Sequence, residues 1–222
     1  MALVKVISLG GSVINPGQID VEFLKGFRKL LVGHSDMKFA IVCGGGRVCR
    51  SYQAAAREAG CADDKSLDWI GVAATRLNAQ LLHAVLRDVA YPEVVVGGKA
   101  PGLSSHVVVA AGVKPGQSTD QVAVQLAKGY KSDCVINVTA RDFVYDKNPD
   151  KFRDAKPVKS ISWKDFRQMF PKSWSPGMNI PFDPVASREA EKAGMNVIVV
   201  GKSLENLGKV LEKRKFSGTV VG

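Results

Sequence analysis

Residues 3–43 read LVKVISLGGSVINPGQIDVEFLKGFRKLLVGHSDMKFAIVC, and this stretch decides the fold class. Residues 3–9 form an apolar run that is typical of a buried strand. Apolar residues at helical spacing follow over 20–33, where Asp20 can cap the helix. A second apolar run covers 38–43. Strand, helix and strand in this order predict a βαβ unit, and therefore a parallel sheet with right-handed crossovers.

The rest of the chain continues this alternation of helices and strands. The spacing of apolar residues predicts helices at 47–59, 66–89, 118–130, 162–170, 181–194 and 204–213. Strands are predicted at 93–96, 106–110, 133–139, 196–201 and 218–222, with a hairpin or extended loop over 140–152. The sequence therefore predicts one α/β domain spanning 1–222, a three-layer αβα sandwich with a mainly parallel central sheet. Its ligand is expected at the carboxyl ends of the strands.

Composition excludes several classes of protein. The 222 residues are 45% hydrophobic and 23% charged, which is ordinary for a folded soluble domain. No run of 18 apolar residues and no signal pattern occurs, so we expect a cytoplasmic protein with no membrane partner. The net charge of +10 suits anionic ligands, and no basic helix or aromatic-basic signature predicts a nucleic-acid partner. The four cysteines lack metal-ligand spacing and are expected to be reduced thiols: Cys43, Cys49, Cys61 and Cys134.

Three glycine-rich turns at strand ends are candidate phosphate cradles: GGS (10–12), GGGR (44–47) and PGQSTD (115–120). A turn that leaves a strand and opens a helix exposes backbone N–H groups, and helix N-termini favour anions. Glycines also serve ordinary tight turns, so a single glycine pair would be weak evidence. No P-loop lysine lies inside the first turn, and Lys5 lies roughly 16 Å upstream of Gly10 at about 3.3 Å per residue.

Six segments follow one another in a recognisable order: SLGGSV, VCGGGRVCRSY, DWIGVAATRLNAQLL, PGQSTDQVAVQLA, TARDFVYDKNPDK and FDPVAS. Together they resemble the amino-acid kinase superfamily, and within it the archaeal-type UMP kinases. The resemblance implies phosphoryl transfer from ATP to UMP, giving UDP in pyrimidine nucleotide synthesis, with Mg²⁺ as a cofactor. It also implies a UMP lobe over 1–115, an ATP lobe over 116–222, and a homohexamer built as a trimer of dimers.

The same resemblance implies roles at the acceptor side of the site. Backbone amides of three residues would cradle the transferring phosphoryl group: Gly10, Gly11 and Ser12. The backbone of Gly44, Gly45 and Gly46 would lie against the UMP phosphate. Arg50 would bind the same phosphate by a bidentate contact. Asp68 would bind the ribose hydroxyls. Gly71, Thr75 and Asn78 share one helical face and are expected to line the nucleoside pocket, with helix packing as the alternative for Thr75 and Asn78.

Thr119 and Asp120 match a family motif in which the threonine contacts the acceptor nucleotide and the acid orients magnesium or the phosphates. The alternative for Asp120 is an ordinary helix cap. Asp183 is expected to be a cap, a brace for the ATP loop, or both.

The donor side rests on the segment TARDFVYDKNP (139–149), which resembles a family motif that binds the adenine and ribose of ATP. The implied ATP-binding residues, besides the first glycine pair and Asp183, are Thr139, Asp142, Tyr145, Asn148 and Pro149. Asn148 replaces an acid of the family motif. Phe143 replaces a glycine, and a phenylalanine resists the positive φ that a glycine can adopt.

One basic group of the family pattern is absent. Many members carry a lysine where this chain has Ser8, so Lys99 or Lys114 is a candidate to supply charge from a loop. Two alternatives to a UMP kinase remain open at this point: a non-catalytic oxyanion-binding protein of the molybdate or tungstate storage type, and a kinase with another small acceptor. Arg50 and Asp68 favour a nucleoside monophosphate as the acceptor.

Overall fold

The computed structural model describes residues 3–61, 63–97, 100–102, 104–173, 178 and 180–222. The strands are β1 Leu3–Leu9, β2 Met37–Cys43, β3 Val107–Ala110, β4 Cys134–Val138, β5 Val144–Tyr145, β6 Pro157–Val158, β7 Ser160–Ile161, β8 Asn196–Val200 and β9 Thr219–Val221. The helices are α1 Gly11–Ile14, α2 Val21–Gly33, α3 Gly46–Glu58, α4 Asp64–Val85, α5 Thr119–Gly129, α6 Trp163–Gln168, α7 Pro184–Lys192 and α8 Leu204–Leu211.

Seven strands form one sheet in the order β3-β2-β1-β4-β8-β9-β7, while β5 and β6 form a separate antiparallel pair. β1 lies between β2 and β4 and pairs in parallel with both, and β3 and β8 extend the parallel arrangement outward. β9 runs antiparallel to β8 and parallel to β7. The mainly parallel sheet confirms the predicted α/β class.

Two hydrophobic cores lie on opposite faces of this sheet. The first packs α2, α4 and α8 against alternate strand residues such as Ile7 and Ile41. The second packs α5, α6 and α7 against the intervening residues, such as Val6 and Val42. Alternate side chains of a strand point to opposite faces, so a strand buried on both faces reads as a continuous apolar run. The predicted three-layer sandwich is therefore confirmed.

Most predicted elements occur within a few residues of their expected bounds. The expected hairpin over 140–152 instead pairs β5 with β6 at 157–158, and the short strand β7 was not predicted. Residues 93–96 contribute only an isolated bridge from Val95 to Ala110 instead of a strand. Glu93 and Val96 are exposed, so burial does not hold a longer ladder there. The single-turn helix α1 was predicted as part of the glycine loop. Within the described residues, no helix combines the length and apolar character that crossing a membrane requires.

Candidate active site

A cavity of about 270 Å³ opens at the carboxyl ends of the parallel strands, as expected for a sheet of this topology. Most of the predicted site residues line it: Gly10, Gly11, Ser12, Gly44, Gly45, Gly46, Arg50, Asp68, Gly71, Thr75, Thr119, Asp120, Thr139 and Asp183. Four predicted donor residues do not line it: Asp142, Tyr145, Asn148 and Pro149. The cavity therefore gathers the acceptor residues more completely than the donor residues.

The first two glycine loops meet backbone to backbone. A Cβ built on Gly11 would lie 2.3 Å from the carbonyl oxygen of Gly44 and 2.5 Å from the nitrogen of Gly46. A backbone hydrogen bond joins the same two segments, with Gly44 N–H donating to Leu9 O at 2.9 Å, and Gly10 N–H ties the first loop to β4 by donating to Val138 O at 2.9 Å. The absence of side chains at this contact is what lets the two loops form one continuous wall of the cavity.

The helices that start in these two loops differ from the others at their N-termini. α1 follows Gly10 and α3 follows Gly45, and neither has a side-chain cap. Each of the other described helices is capped by an Asp or Ser side chain. Uncapped first-turn N–H groups need another partner, and an anion is a favourable one. Two such helix ends facing one cavity fit a ligand that carries phosphate.

Arg50 supplies a cationic side chain at this wall. Its Nη2 donates to Ser12 Oγ at 2.9 Å, so it bridges the first glycine loop and α3. Arg47 lies three residues earlier but donates from Nη1 to Pro16 O at 2.6 Å, and it does not line the cavity. Of these two arginines, Arg50 is therefore the one placed to contact a bound anion.

Asp68 lies inside α4, in its second turn, because Asp63 caps the helix by accepting from Ser66 N–H. The Asp68 carboxylate is buried and its Oδ2 accepts from Gly116 N–H at 2.8 Å. Burial raises the pKa of Asp68, and the hydrogen bond from Gly116 opposes that rise. Asp68 is thus a buried acceptor on the cavity lining and has no capping role.

Residues 112–118, which we call the acceptor loop, are fastened to α4 at two further points. Thr75 Oγ1 donates to Val72 O at 2.7 Å and accepts from Gly112 N–H at 2.9 Å. Arg76 Nη2 donates to Val113 O at 3.0 Å. The Thr75 hydroxyl therefore holds the loop in place, which is the packing role, while the residue still lines the cavity.

Asn78 serves the second glycine loop instead of the cavity lining. Its Nδ2 donates to Gly44 O at 2.7 Å and to Gly45 O at 3.3 Å. These bonds satisfy two carbonyl groups of the loop and leave its N–H groups free for other partners. For Asn78 the structure therefore shows the packing alternative.

Asp120 and Asp183 are two neighbouring acidic residues that line the cavity. Asp120 Oδ1 accepts from Ser8 Oγ at 2.9 Å and Oδ2 accepts from Asp183 N–H at 3.0 Å. Ser118 caps α5, so Asp120 is free of that role. Burial, followed by the charge of Asp183, raises the pKa of Asp120 to about 7.

Asp183 combines a structural role with an unsatisfied atom. Its Oδ1 caps α7 by accepting from Val185 N–H and Ala186 N–H at 2.8 and 2.7 Å. Its Oδ2 is buried and has no hydrogen-bond partner among the described residues. Burial also raises the pKa of Asp183. Adjacent carboxylates with an unpartnered oxygen are a hard donor set that fits a divalent cation.

No cluster of three or more Asp, Glu, His or Cys side chains able to hold a metal occurs in the described ranges. A cation at Asp120 and Asp183 would therefore take its remaining ligands from water or from nucleotide phosphates, which is the usual way in which Mg²⁺ is bound.

The donor segment leaves the cavity after Ala140. Thr139 Oγ1 accepts from Arg141 N–H at 3.1 Å, Asp142 lies against Gly201, and Tyr145 belongs to the β5–β6 pair. Asn148 Oδ1 accepts from Asp150 N–H at 2.9 Å and so forms a turn of its own. The structure thus places these residues on a hairpin beside the cavity.

Phe143 has no backbone strain. Positive φ angles among the described non-glycine residues occur only at Lys131 and Lys213. The Phe143 ring packs edge-on against Tyr145, with centroids 6.5 Å apart. The change from glycine to phenylalanine therefore costs this turn nothing in backbone conformation.

One of the two lysines expected to supply charge from a loop lines the cavity. Lys114 belongs to the acceptor loop and lines the cavity, whereas Lys99 lies outside the described residues. Ser8, at the position of the family lysine, is buried and donates to Asp120. Lys114 is therefore a described cation that could face bound phosphate.

Sequence reasoning missed several lining residues, among them Cys49, Gln53 and Asn137. Cys49 and Gln53 follow Gly46 by three and seven positions, so they share its helical face with Arg50. That spacing could have identified both residues from the sequence. Asn137 donates from Nδ2 to Pro181 O, a contact between β4 and the segment before α7 that no local pattern indicates.

The parallel sheet, the paired glycine loops and the convergent arginine and carboxylates define an α/β protein with a phosphate-binding site at the strand ends. The chain belongs to the amino acid kinase family, whose model matches residues 4–201. The uridylate kinase of Methanocorpusculum labreanum is 36% identical over 224 residues, covering 98% of this chain and 94% of that protein. That of Thermoplasma volcanium is 36% identical and covers 93% of this chain and 92% of its own length.

Solved structures agree with this assignment. The crystal structure of uridylate kinase from Archaeoglobus fulgidus has a TM-score of 0.82 and 33% identity, covering 99% of this chain and all of that one. The UMP kinase of Bacillus anthracis, at 18% identity and a TM-score of 0.73, shares the fold.

Proposed function

We propose that the protein transfers the γ-phosphoryl group of ATP to the phosphate of UMP, giving ADP and UDP. The carrying observation is that two uncapped helix N-termini and Arg50 face one cavity that also contains Asp68 and Asp120. The relatives named uridylate kinase, at 33–36% identity over nearly the whole chain, support UMP as the acceptor. Because the proposed reaction uses nucleotides of the cytoplasm, we also propose a cytoplasmic location.

In this reaction the protein holds two polyanions in line and neutralises the charge between them. The amides of Gly10, Gly11 and Ser12 would bind the transferring group. The second glycine loop and Arg50 would bind the UMP phosphate, and Asp68 and Thr119 would contact the UMP nucleoside. Because the two loops touch at Gly11 and Gly44, the two phosphates would lie against adjoining parts of one wall.

The donor nucleotide would lie over the second lobe, residues 116–222, and the acceptor over the first, residues 1–115. This division is supported by Thr139 and Asp183, which belong to the second lobe and line the same cavity as the two glycine loops of the first. Asp142, Tyr145, Asn148 and Pro149 would contact adenine and ribose at the hairpin beside the cavity. Asp120, with Asp183 behind it, would hold Mg²⁺, which when bound supplies positive charge against the phosphates.

A coupled ADP-release assay with a panel of nucleoside monophosphates tests the proposal. UMP-dependent release of ADP is expected, with little release for AMP or GMP. Turnover of acetylglutamate instead would indicate another acceptor. No UMP-dependent turnover, together with molybdenum or tungsten in the purified protein by elemental analysis, would contradict the kinase and support a storage protein.

Arg50→Ala should raise KM for UMP by about 10- to 100-fold, because hydrogen bonds to a charged group contribute about 1.5–3 kcal/mol. KM for ATP should change much less, since Arg50 lies on the acceptor side of the wall. Initial rates at varied UMP and ATP measure both constants. Arg47→Ala is the matched control, because Arg47 is bonded to Pro16 and should leave KM for UMP unchanged. Equal effects of the two substitutions would contradict the assignment.

The helices α3 and α4 also support the expected homo-oligomer. Tyr52, Trp69 and Leu77 are 67%, 47% and 62% exposed, and Trp69 and Leu77 lie eight residues apart on one face of α4. Exposed apolar side chains at helical spacing are typical of an interface. We therefore place the dimer contact of the expected hexamer on this face.

Leu77→Glu is expected to reduce the oligomer to a smaller species, because each interface would bury two added charges. Size-exclusion chromatography with light scattering measures the mass. Val32→Glu on α2, whose side chain is also exposed, is the control that should keep the wild-type mass. An unchanged mass for Leu77→Glu would remove this face from the interface.

A further inference from the structure

Gln53 has a buried side-chain oxygen without a hydrogen-bond donor, in the part of the cavity proposed for UMP. None of the roles proposed above uses this oxygen. The residue lies one turn after Arg50 on the cavity face of α3 and is 1% exposed. Its Nε2 donates to Leu67 O at 2.8 Å. Its Oε1 is buried and has no hydrogen-bond partner among the described residues.

The contact with Leu67 fixes the orientation of this amide. If the amide were flipped, Oε1 would face the carbonyl oxygen of Leu67, and two acceptors would repel each other. The unsatisfied atom is therefore an acceptor, and it calls for a donor. Buried side-chain oxygens without a partner are uncommon, and a bound ligand is one of the explanations for them.

Gln53 also lies beside Asp68. Leu67, to which its amide is bonded, is the residue before Asp68 on α4. Gly71 of α4 also lies against the amide, since a Cβ built there would be 3.4 Å from Gln53 Nε2. Asp68 and Gln53 therefore line the same part of the cavity, and each has a side-chain oxygen without a hydrogen-bond donor among the described contacts.

A ribose ring offers two adjacent hydroxyl donors to such a pair. Asp68 Oδ2 already accepts from Gly116 N–H, which leaves Oδ1 as its oxygen without a protein donor among the described contacts. One hydroxyl can donate to Asp68 and the other to Gln53. A donor from the nucleobase, such as N3–H of uracil, would lie farther from Asp68 than the second hydroxyl of the same ring.

We propose that Gln53 Oε1 accepts a hydrogen bond from one ribose hydroxyl of the acceptor nucleotide, beside Asp68, and so makes the site selective for ribonucleotides over a deoxyribonucleotide. The inference rests on the proposed UMP kinase function and adds a specificity residue to it. The Gln53 side chain binds the sugar and has no part in the transfer step itself.

The test is kcat/KM with ATP for UMP, 2′-deoxy-UMP, 3′-deoxy-UMP and CMP. Wild-type protein should prefer UMP over each deoxy analogue by about tenfold or more, because each analogue leaves a buried acceptor unpaired. Gln53→Leu should reduce the preference over one analogue to about threefold or less. The preference for UMP over the other deoxy analogue reports on Asp68 and should stay within about twofold of wild type. The preference for UMP over CMP should also stay within about twofold.

Ser51→Ala is the matched control, because Ser51 is an exposed residue of the same helix that does not line the cavity, so this substitution should leave all preferences unchanged. Gln53→Met, an unbranched side chain of similar length, replaces Gln53→Leu if the leucine variant fails to fold.

Three results would overturn the inference. The first is that the Gln53 variants keep the wild-type preference for UMP over both deoxy analogues. The second is a loss of the preference for UMP over CMP, which would place Gln53 at the base. The third is a wild-type protein that turns over UMP and both deoxy analogues equally. Absence of any wild-type turnover of UMP would instead remove the proposed function itself, and the inference with it.

Discussion

Asp120→Asn is expected to lower kcat by on the order of 10²–10³-fold and to make the free protein more stable at pH 8. The activity loss follows because the variant lacks the carboxylate that would hold the cation against the phosphates, a type of charge stabilisation with effects of that size. The stability gain follows from the surroundings of Asp120, where burial and Asp183 raise its pKa to about 7.

The sign of the pH dependence follows from proton binding. The unfolded carboxyl has its ordinary pKa of 3.8, so between about pH 4 and pH 7 the folded state retains a proton that the unfolded state has lost. Stability is then highest below pH 4 and falls as the pH rises through the folded pKa. A shift from 3.8 to about 7 corresponds to as much as about 4 kcal/mol. Asparagine has no proton to lose and escapes this cost.

Thermal unfolding of both proteins in EDTA, without nucleotide, measures the effect. The two midpoints should agree at pH 4 and separate by on the order of 10 °C at pH 8, with the variant higher. Asparagine can still accept from Asp183 N–H and donate to the Ser8 hydroxyl, so the fold should be retained. A midpoint difference that does not vary with pH would contradict the assignment of a raised pKa to Asp120.

Gly11→Ala is expected to abolish measurable transfer and to destabilise the protein by about 1–3 kcal/mol or more. The added methyl group would lie within 2.6 Å of three backbone atoms of the second glycine loop. No flexible side chain can move aside there, so the two loops must separate. A displacement of about 1 Å at a reacting centre can cost on the order of 100-fold in rate, and here both phosphate cradles are displaced.

Single-turnover rates and urea unfolding of Gly11→Ala measure these two effects separately. Gly33→Ala is the matched control, because a Cβ at Gly33 meets no atom within 4 Å. That variant should keep wild-type activity and gain up to about 1 kcal/mol in stability from the lower entropy of its unfolded chain. Wild-type activity in Gly11→Ala would show that contact between the two loops is unnecessary.

The fold could be predicted from the sequence because its signals are local. Apolar runs of β1, β2 and β4, helical spacing in α2 and α5, and glycines at strand ends each act over a few residues. Parallel strands then bring their carboxyl ends together by topology alone, so the glycine turns could be placed at one site, while the expected roles of Arg50 and Asp68 came from the resemblance to the family.

The rest of the site depends on contacts between distant residues. Nothing near Asp120 in the chain indicates that Ser8 and Asp183 would be its hydrogen-bond partners, 112 and 63 positions away. The packing roles of Thr75 and Asn78 could not be separated from binding roles by spacing, because one helical face serves both. The motif identified the segment that carries Tyr145. The position of this segment beside the cavity depends on its pairing with Pro157 and Val158, which the motif does not include.

Helix α4 has two faces with different neighbours. Its inner face holds Asp68 and Thr75, which fasten the acceptor loop, and its outer face presents Trp69 and Leu77 to solvent. A helix moves as a rigid body, so any tilt imposed on the outer face shifts all the inner contacts together. A partner on that face and a nucleotide in the cavity would therefore contact the same helix. By reciprocity of binding free energies, any change that a partner on that face makes in the affinity for the nucleotide would be matched by an equal change that the nucleotide makes in the affinity for the partner.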